Sequence, residues 1–166
     1  MSEIGEVSKI LKEKECEVEW KVDLHSLLRR KDEYYLSPSF FFEGEFWWLA
    51  VWSRPDSSID LSKDKEDTLG YIDLCLYRKS SNPPTIIEFH FSLKTLNGWK
   101  ILERHKTEDF TDEKRSHCID RFLSISELVK RKCEFENSGF VTFVCTLKKL
   151  NVTEYQSKFY LTEKVV

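Results

Sequence analysis

The chain is poor in the residues and patterns that would assign it to several common classes. One Met and five Gly in 166 residues, beside 14% aromatics, argue against a helical bundle and for sheet. No run approaches the ~18 consecutive apolar residues of a membrane span, and the N-terminal MSEIGEVSK has no apolar signal core. The expectation is therefore an intracellular protein, cytoplasmic or nuclear, with no membrane partner. An excess of positive charge is also missing. The net charge is −3, and the most basic runs, Arg29-Arg30-Lys31 and Lys130-Arg131-Lys132, are short. Such runs read as solvated surface and give no basis for nucleic-acid affinity. The five Cys (16, 75, 118, 133 and 145) lack the spacing of a disulfide framework and are expected as reduced thiols. The sequon Asn151-Val152-Thr153 is then expected to stay unmodified.

Catalytic and cofactor signatures are missing as well. The sequence holds no G-x-S-x-G, no phosphate-cradling Gly-rich loop and no H-E-x-x-H. The four His (25, 90, 105 and 117) are scattered, and the Cys show neither C-x2-C nor a paired H-x3-H spacing for zinc. Glu66-Asp67 lies in a charged run and reads as solvation rather than as an acid/base pair. The expectation is a non-enzyme without a cofactor or metal. A lone alternative is the adjacent His117 and Cys118, which would require a thiol of depressed pKa.

What the sequence does have is aromatic sheet. Phe40–Trp52, FFFEGEFWWLAVW, holds three of the five Trp and four of the twelve Phe. Glu43-Gly44-Glu45 breaks the run with hairpin chemistry. Beyond it Phe46, Trp48, Ala50 and Trp52 share one face of a strand and Trp47, Leu49 and Val51 the other. Either the strand is central with both faces buried, or one face offers its aromatics to a partner.

Further strands follow from alternation: Cys16–Leu24, Leu69–Tyr77, Thr85–Leu96 ending at the Asn97-Gly98 turn, and Phe140–Leu147. Pro38 marks an edge or bend in an extended run from Tyr34 to Phe42. Ser53 to Asp67 reads as a long solvated loop. Cys118–Val129 changes to a helical period. The N-terminal residues 1–14, with Ile4, Val7 and Leu11 at helical spacings, read as a helical or disordered extension, and 151–166 as a tail. The fold class is all-β: a seven- to eight-stranded antiparallel sandwich over 15–150 with one short helix late in the chain.

Five short motifs occur in the order of the TRAF-homology (MATH) family: Trp20-Lys21-Val22, Ser37-Pro38-Ser39-Phe40 with Trp47-Trp48-Leu49-Ala50-Val51, Tyr71-Ile72-Asp73-Leu74, Phe89-His90-Phe91-Ser92-Leu93, and Val141–Cys145. From about Glu19 to Leu150 the chain resembles that family. The resemblance implies a TRAF-like sandwich that binds short extended peptides in a shallow groove, as an adaptor recruiting substrates or partners in ubiquitin or signalling pathways. Position by position it implies groove roles for Trp52, Asp56, Cys75 and Phe89. His117-Cys118-Ile119 stands where the family has W-G-[FY], so His117 and Ile119 are the implied groove residues there. Ala50 stands where TRAF-type members often carry a groove arginine. The alternative is a structural or oligomerisation sandwich that has lost the groove, with a homo-oligomer in place of a peptide partner.

Overall fold

The computed structural model describes residues 2–12, 14–28, 33–54, 70–151 and 153. Period-two alternation dominates these residues and produces a β-sandwich. The strands are β1 (Ser2–Glu3), β2 (Glu6–Lys12), β3 (Glu15–Asp23), β4 (Glu33–Leu36), β5 (Phe40–Phe42), β6 (Glu45–Arg54), β7 (Tyr71–Arg78), β8 (Thr85–Lys94), β9 (Lys100–Phe110), β10 (Ser116–Ser124) and β11 (Phe140–Leu150). Three short helices join them: α1 (Leu24–Leu28), α2 (Ile125–Lys130) and α3 (Lys132–Phe135). The first sheet has the order β1-β4-β6-β7-β10, with β5 also paired to β6, and the second β2-β3-β11-β8-β9. Every pairing is antiparallel except the two-residue β1 against β4.

The core lies between the sheets and is built by alternation. Cys16, Val18, Trp20 and Val22 of β3, Ile87, Phe89, Phe91 and Leu93 of β8, and Phe143 and Leu147 of β11 line the inner side of the second sheet and join Trp47, Leu49 and Val51 of β6, from the first, in one continuous cluster. The hairpin expected at residues 43–45 forms, with Phe42 opposite Glu45. Its two turn residues, Glu43 and Gly44, both have positive φ (50° and 79°), as a tight turn matching strand twist requires.

Two expectations are corrected. The N-terminal segment is not helical: β1 joins the first sheet and β2 covers the edge of β3. Gly5 makes the crossing between them, with φ +76° and the Lys21 carbonyl oxygen only 2.0 Å from where a Cβ would sit. The Trp20 indole N–H donates to the Ile4 carbonyl at 2.9 Å and fixes the crossing. A period covering less than two heptads yields to backbone pairing with an open edge. Second, Cys118–Ser124 is strand rather than helix. Register shifts between Ile119 and Leu123, where Arg121 adopts φ +51°. This bulge brings both Phe122 and Leu123 inward, so its apolar spacing imitates a helix. The helix itself begins at Ile125, capped by the Ser124 hydroxyl accepting from the Glu127 N–H at 3.0 Å. The all-β antiparallel sandwich expected from alternation is what forms, with eleven strands and three short helices among the described residues where seven or eight strands and one helix were expected. Asp56, the run Arg29–Lys31, most of the expected loop from Ser53 to Asp67 and the tail after Thr153 lie outside the described residues. No helix among the described residues is long and apolar enough to cross a membrane.

Candidate functional site: the outer aromatic face

A two-layer sandwich has two outer faces, and here they differ in kind. The second sheet turns Glu17, Glu19 and Lys21 of β3 and Glu88, His90 and Lys94 of β8 outward, opposite its buried alternates. These side chains pair with one another and with β9: Lys94 bonds Glu19 at 2.7 Å, Lys100 pairs with Glu17, and His90 stacks on His105 with ring centres 5.2 Å apart. That face is solvated charge.

The outer face of the first sheet is aromatic. Register places Tyr34 opposite Trp52, Trp48 opposite Tyr77, and Phe41 opposite Phe46. All three pairs meet edge to face, with ring centres 5.9, 5.8 and 5.2 Å apart. Between the Trp48–Tyr77 pair and the Tyr34–Trp52 pair runs a row in continuous register across four strands: Leu36, Ala50, Cys75 and Cys118. Leu36, Ala50 and Cys75 are buried and form a small cluster separate from the main core, with Tyr34, Trp48 and Cys118 packed against it. Burial there, followed by the neighbouring Tyr77, pushes the Tyr34 hydroxyl up to about 12, so it stays protonated and able to donate. Phe41 and Phe46 remain nearly half exposed.

Cations decorate this face. The Lys79 ammonium lies 4.9 Å from the centre of the Trp48 ring, the Arg54 guanidinium 5.0 Å from Trp52, and the Arg121 guanidinium 5.0 Å from Tyr71. Asp73, opposite Trp52, is buried; it accepts from the Arg121 backbone N–H at 2.7 Å and pairs with Arg54 at 2.8 Å. Burial nevertheless dominates and raises its carboxyl above the ordinary range.

The residues expected to form a groove do not come together as one. Trp52 is on the aromatic face, half-buried. Cys75 lies in the floor beside it, fully buried and bonded to Cys118. Phe89 is a correction: alternation in β8 turns it into the core against Phe110, on the sheet opposite Trp52, where nothing outside can touch it. Ile119 is likewise in the core. His117 points inward at the sandwich edge, its ring 4.6 Å from that of Phe110 and Nε2 3.0 Å from the Asp109 carbonyl. Residues 117–119, where the resemblance implies groove residues, are strand.

The cysteine reading is also corrected. Cys75 and Cys118 are cross-strand neighbours with Cα atoms 3.9 Å apart and form a disulfide, although 43 positions separate them in sequence. Register, which spacing along the chain does not encode, brings them together. His117 and Cys118 are consecutive in a strand and therefore face opposite sides, so they form no nucleophile–base pair. Among the described residues no group of three or more His, Cys, Asp or Glu is placed to hold a metal ion.

Sequence reasoning passed over Tyr34, Tyr71 and Tyr77. The signal for Tyr71 and Tyr77 was present in Tyr71-Ile72-Asp73-Leu74-Cys75-Leu76-Tyr77, where aliphatic residues take every second position and leave the aromatics on the other face.

The β10 edge of this face is closed to strand addition. Lys106 of β9 donates to the Cys118 carbonyl at 2.7 Å, and Arg104 donates to the carbonyls of Asp120 and Arg121 at 3.3 and 3.0 Å. An added strand would have to displace these bonds. No protein-family model matches the chain, and no curated protein matches it either.

Proposed function

We propose that this chain is a non-catalytic interaction domain that binds a short extended peptide segment of a partner protein across the outer aromatic face of its first sheet. The observation that carries this reading is the asymmetry between the two outer faces, one solvated by ion pairs and the other paved with Phe41, Phe46, Trp48, Tyr34, Trp52 and Tyr77. Large aromatics with polar handles over a buried floor are the usual anchors of a binding surface. The capped β10 edge favours contact through side chains over the face rather than backbone addition at that edge. The TRAF-homology reading, with an adaptor role in ubiquitin or signalling pathways, rests on the five ordered motifs and is part of this proposal.

The test is a peptide array followed by polarisation titrations of the peptides retained. Trp48→Ala and Trp52→Ala should each weaken binding roughly tenfold or more, while Lys94→Ala on the opposite face should leave it unchanged. Equal binding by all three variants would sink the proposal. A second reading, a structural or oligomerisation module, rests on a separate feature: among the described residues only β3 pairs with β2, the outermost described strand of the second sheet.

A further inference from the structure

The outer aromatic face has a profile along β7. Ile72, Leu74 and Leu76 belong to the core, so Tyr71, Asp73, Cys75 and Tyr77 point outward. The two tyrosines are half-buried, and the two positions between them are buried. The strand therefore presents a low centre between two raised rings, about 20 Å apart along its length. β6 repeats that profile alongside, with Trp48 opposite Tyr77 and Ala50 opposite Cys75.

A cation stands at each raised end. The Lys79 ammonium lies 4.9 Å from the centre of the Trp48 ring and 5.9 Å from that of Phe46. Its own backbone N–H donates to the Phe46 carbonyl at 3.0 Å, which fixes it at that end. The Arg121 guanidinium lies 5.0 Å from the centre of the Tyr71 ring. The bulge in β10 and the bond from the Arg121 N–H to Asp73 set its position. Among the described residues both cations meet rings, and neither pairs with a carboxylate. The carboxylates nearest to them are engaged elsewhere: Asp73 with Arg54 at 2.8 Å, and Glu3 with the Trp48 indole N–H at 3.1 Å. A cation resting on a ring keeps N–H donors that can take up a carboxylate without leaving it.

Spacing and charge identify the occupant. An extended segment lying along β7 turns every second side chain towards the sheet. Its positions i, i+2, i+4 and i+6 then cover Tyr77, Cys75, Asp73 and Tyr71 in turn. The two middle side chains meet the Ala50–Cys75 floor and the Trp52 ring, where a polar group would lose water and gain little. The two end side chains meet Lys79 and Arg121.

We propose that the aromatic face selects an extended peptide in which two apolar side chains at alternate positions are bracketed by carboxylates six residues apart, one read by Lys79 and the other by Arg121. This ligand class rests on the reading of the face as a peptide site, and adds to it a length, a spacing and a charge.

Fluorescence polarisation with three labelled synthetic peptides tests it. The first is Glu-Ser-Leu-Ser-Leu-Ser-Glu. The second carries Gln at both ends, and the third lacks one inner Ser, which turns one carboxylate away from the sheet. The Gln-ended peptide should bind about tenfold more weakly than the first, and the shortened one about threefold more weakly. Lys79→Gln and Arg121→Gln should each weaken the first peptide about threefold more than they weaken the Gln-ended one. Near-ultraviolet dichroism establishes that each variant is folded. A Gln-ended or shortened peptide that binds as tightly as the first, or variants that weaken acidic and Gln-ended peptides equally, would overturn this proposal and leave the peptide site standing. Failure of all three peptides overturns this ligand class alone if the array retains other peptides, and the peptide site with it if the array retains none.

Discussion

Arg78 and Glu45 face each other inside the sandwich, with Nε 2.7 Å from Oε1 and both side chains out of water. The guanidinium also donates to the Phe110 carbonyl at 2.8 Å and the Pro83 carbonyl at 2.6 Å. Phe110 ends β9 in the second sheet, whereas Arg78 and Glu45 belong to the first. One planar cation therefore ties together both layers and the turn before β8, and no buried side-chain polar atom among the described residues is left without a partner.

Removing one half of that pair should be costly. Arg78→Ala leaves the Glu45 carboxylate buried without its cation, along with two unanswered carbonyls, and is expected to destabilise by about 3–5 kcal/mol. The double variant Glu45→Leu/Arg78→Met removes both charges and should lose less than the two single changes combined. Urea unfolding midpoints measure all of these. An Arg78→Ala protein as stable as wild type would show that the pair is dispensable.

The cysteines should fall into three classes. Ellman titration in denaturant without reductant should find the three free thiols, Cys16, Cys133 and Cys145, and reductant should release the Cys75–Cys118 pair. In the native protein Cys133, the exposed thiol, should alkylate readily. Burial pushes the Cys16 thiol up to about 11 and raises Cys145 well above its usual range, so both should react only on unfolding. Five reactive thiols in the unreduced, unfolded chain would rule out the disulfide. Cys118→Ser should destabilise by about 2–4 kcal/mol through loss of the cross-link.

Asp73 should make the protein less stable as pH rises. Its folded carboxyl titrates above the ordinary 3.8, chiefly because of burial. Between the unfolded and folded values the native state holds the proton more tightly, so stability falls across that interval and then levels. Asp73→Asn keeps an acceptor for the Arg121 N–H and should flatten this fall, gaining relative to wild type as pH rises through the window. Asp73→Ala abandons that N–H and should lose about 1–3 kcal/mol. Chemical denaturation from pH 3 to 7 on the three proteins reads the difference; a parallel wild-type and Asp73→Asn profile would refute it.

Much of the sandwich was legible from alternation. Cys16, Val18, Trp20 and Val22, or Ile87, Phe89, Phe91 and Leu93, announce a strand with one buried face because side chains two apart share a side. The turns at Glu43-Gly44 and Asn97-Gly98 were legible because they require residues tolerant of positive φ. The bulge at Arg121 hid a strand, since one extra residue shifts the period towards that of a helix.

The candidate site was less legible. Sequence showed that Trp48 and Trp52 share a face, and alternation said the same of Phe89 and Phe91. It did not say which face is interior, for that depends on where the other sheet lies. The sequence by itself determined the strands, their faces and the surplus of aromatic side chains. Only tertiary structure decided that Phe89 is core and Trp52 surface, that Cys75 meets Cys118, and that Tyr34 and Tyr77 complete the aromatic face. Those outcomes are set by register and layer order between distant segments, which local periodicity does not contain.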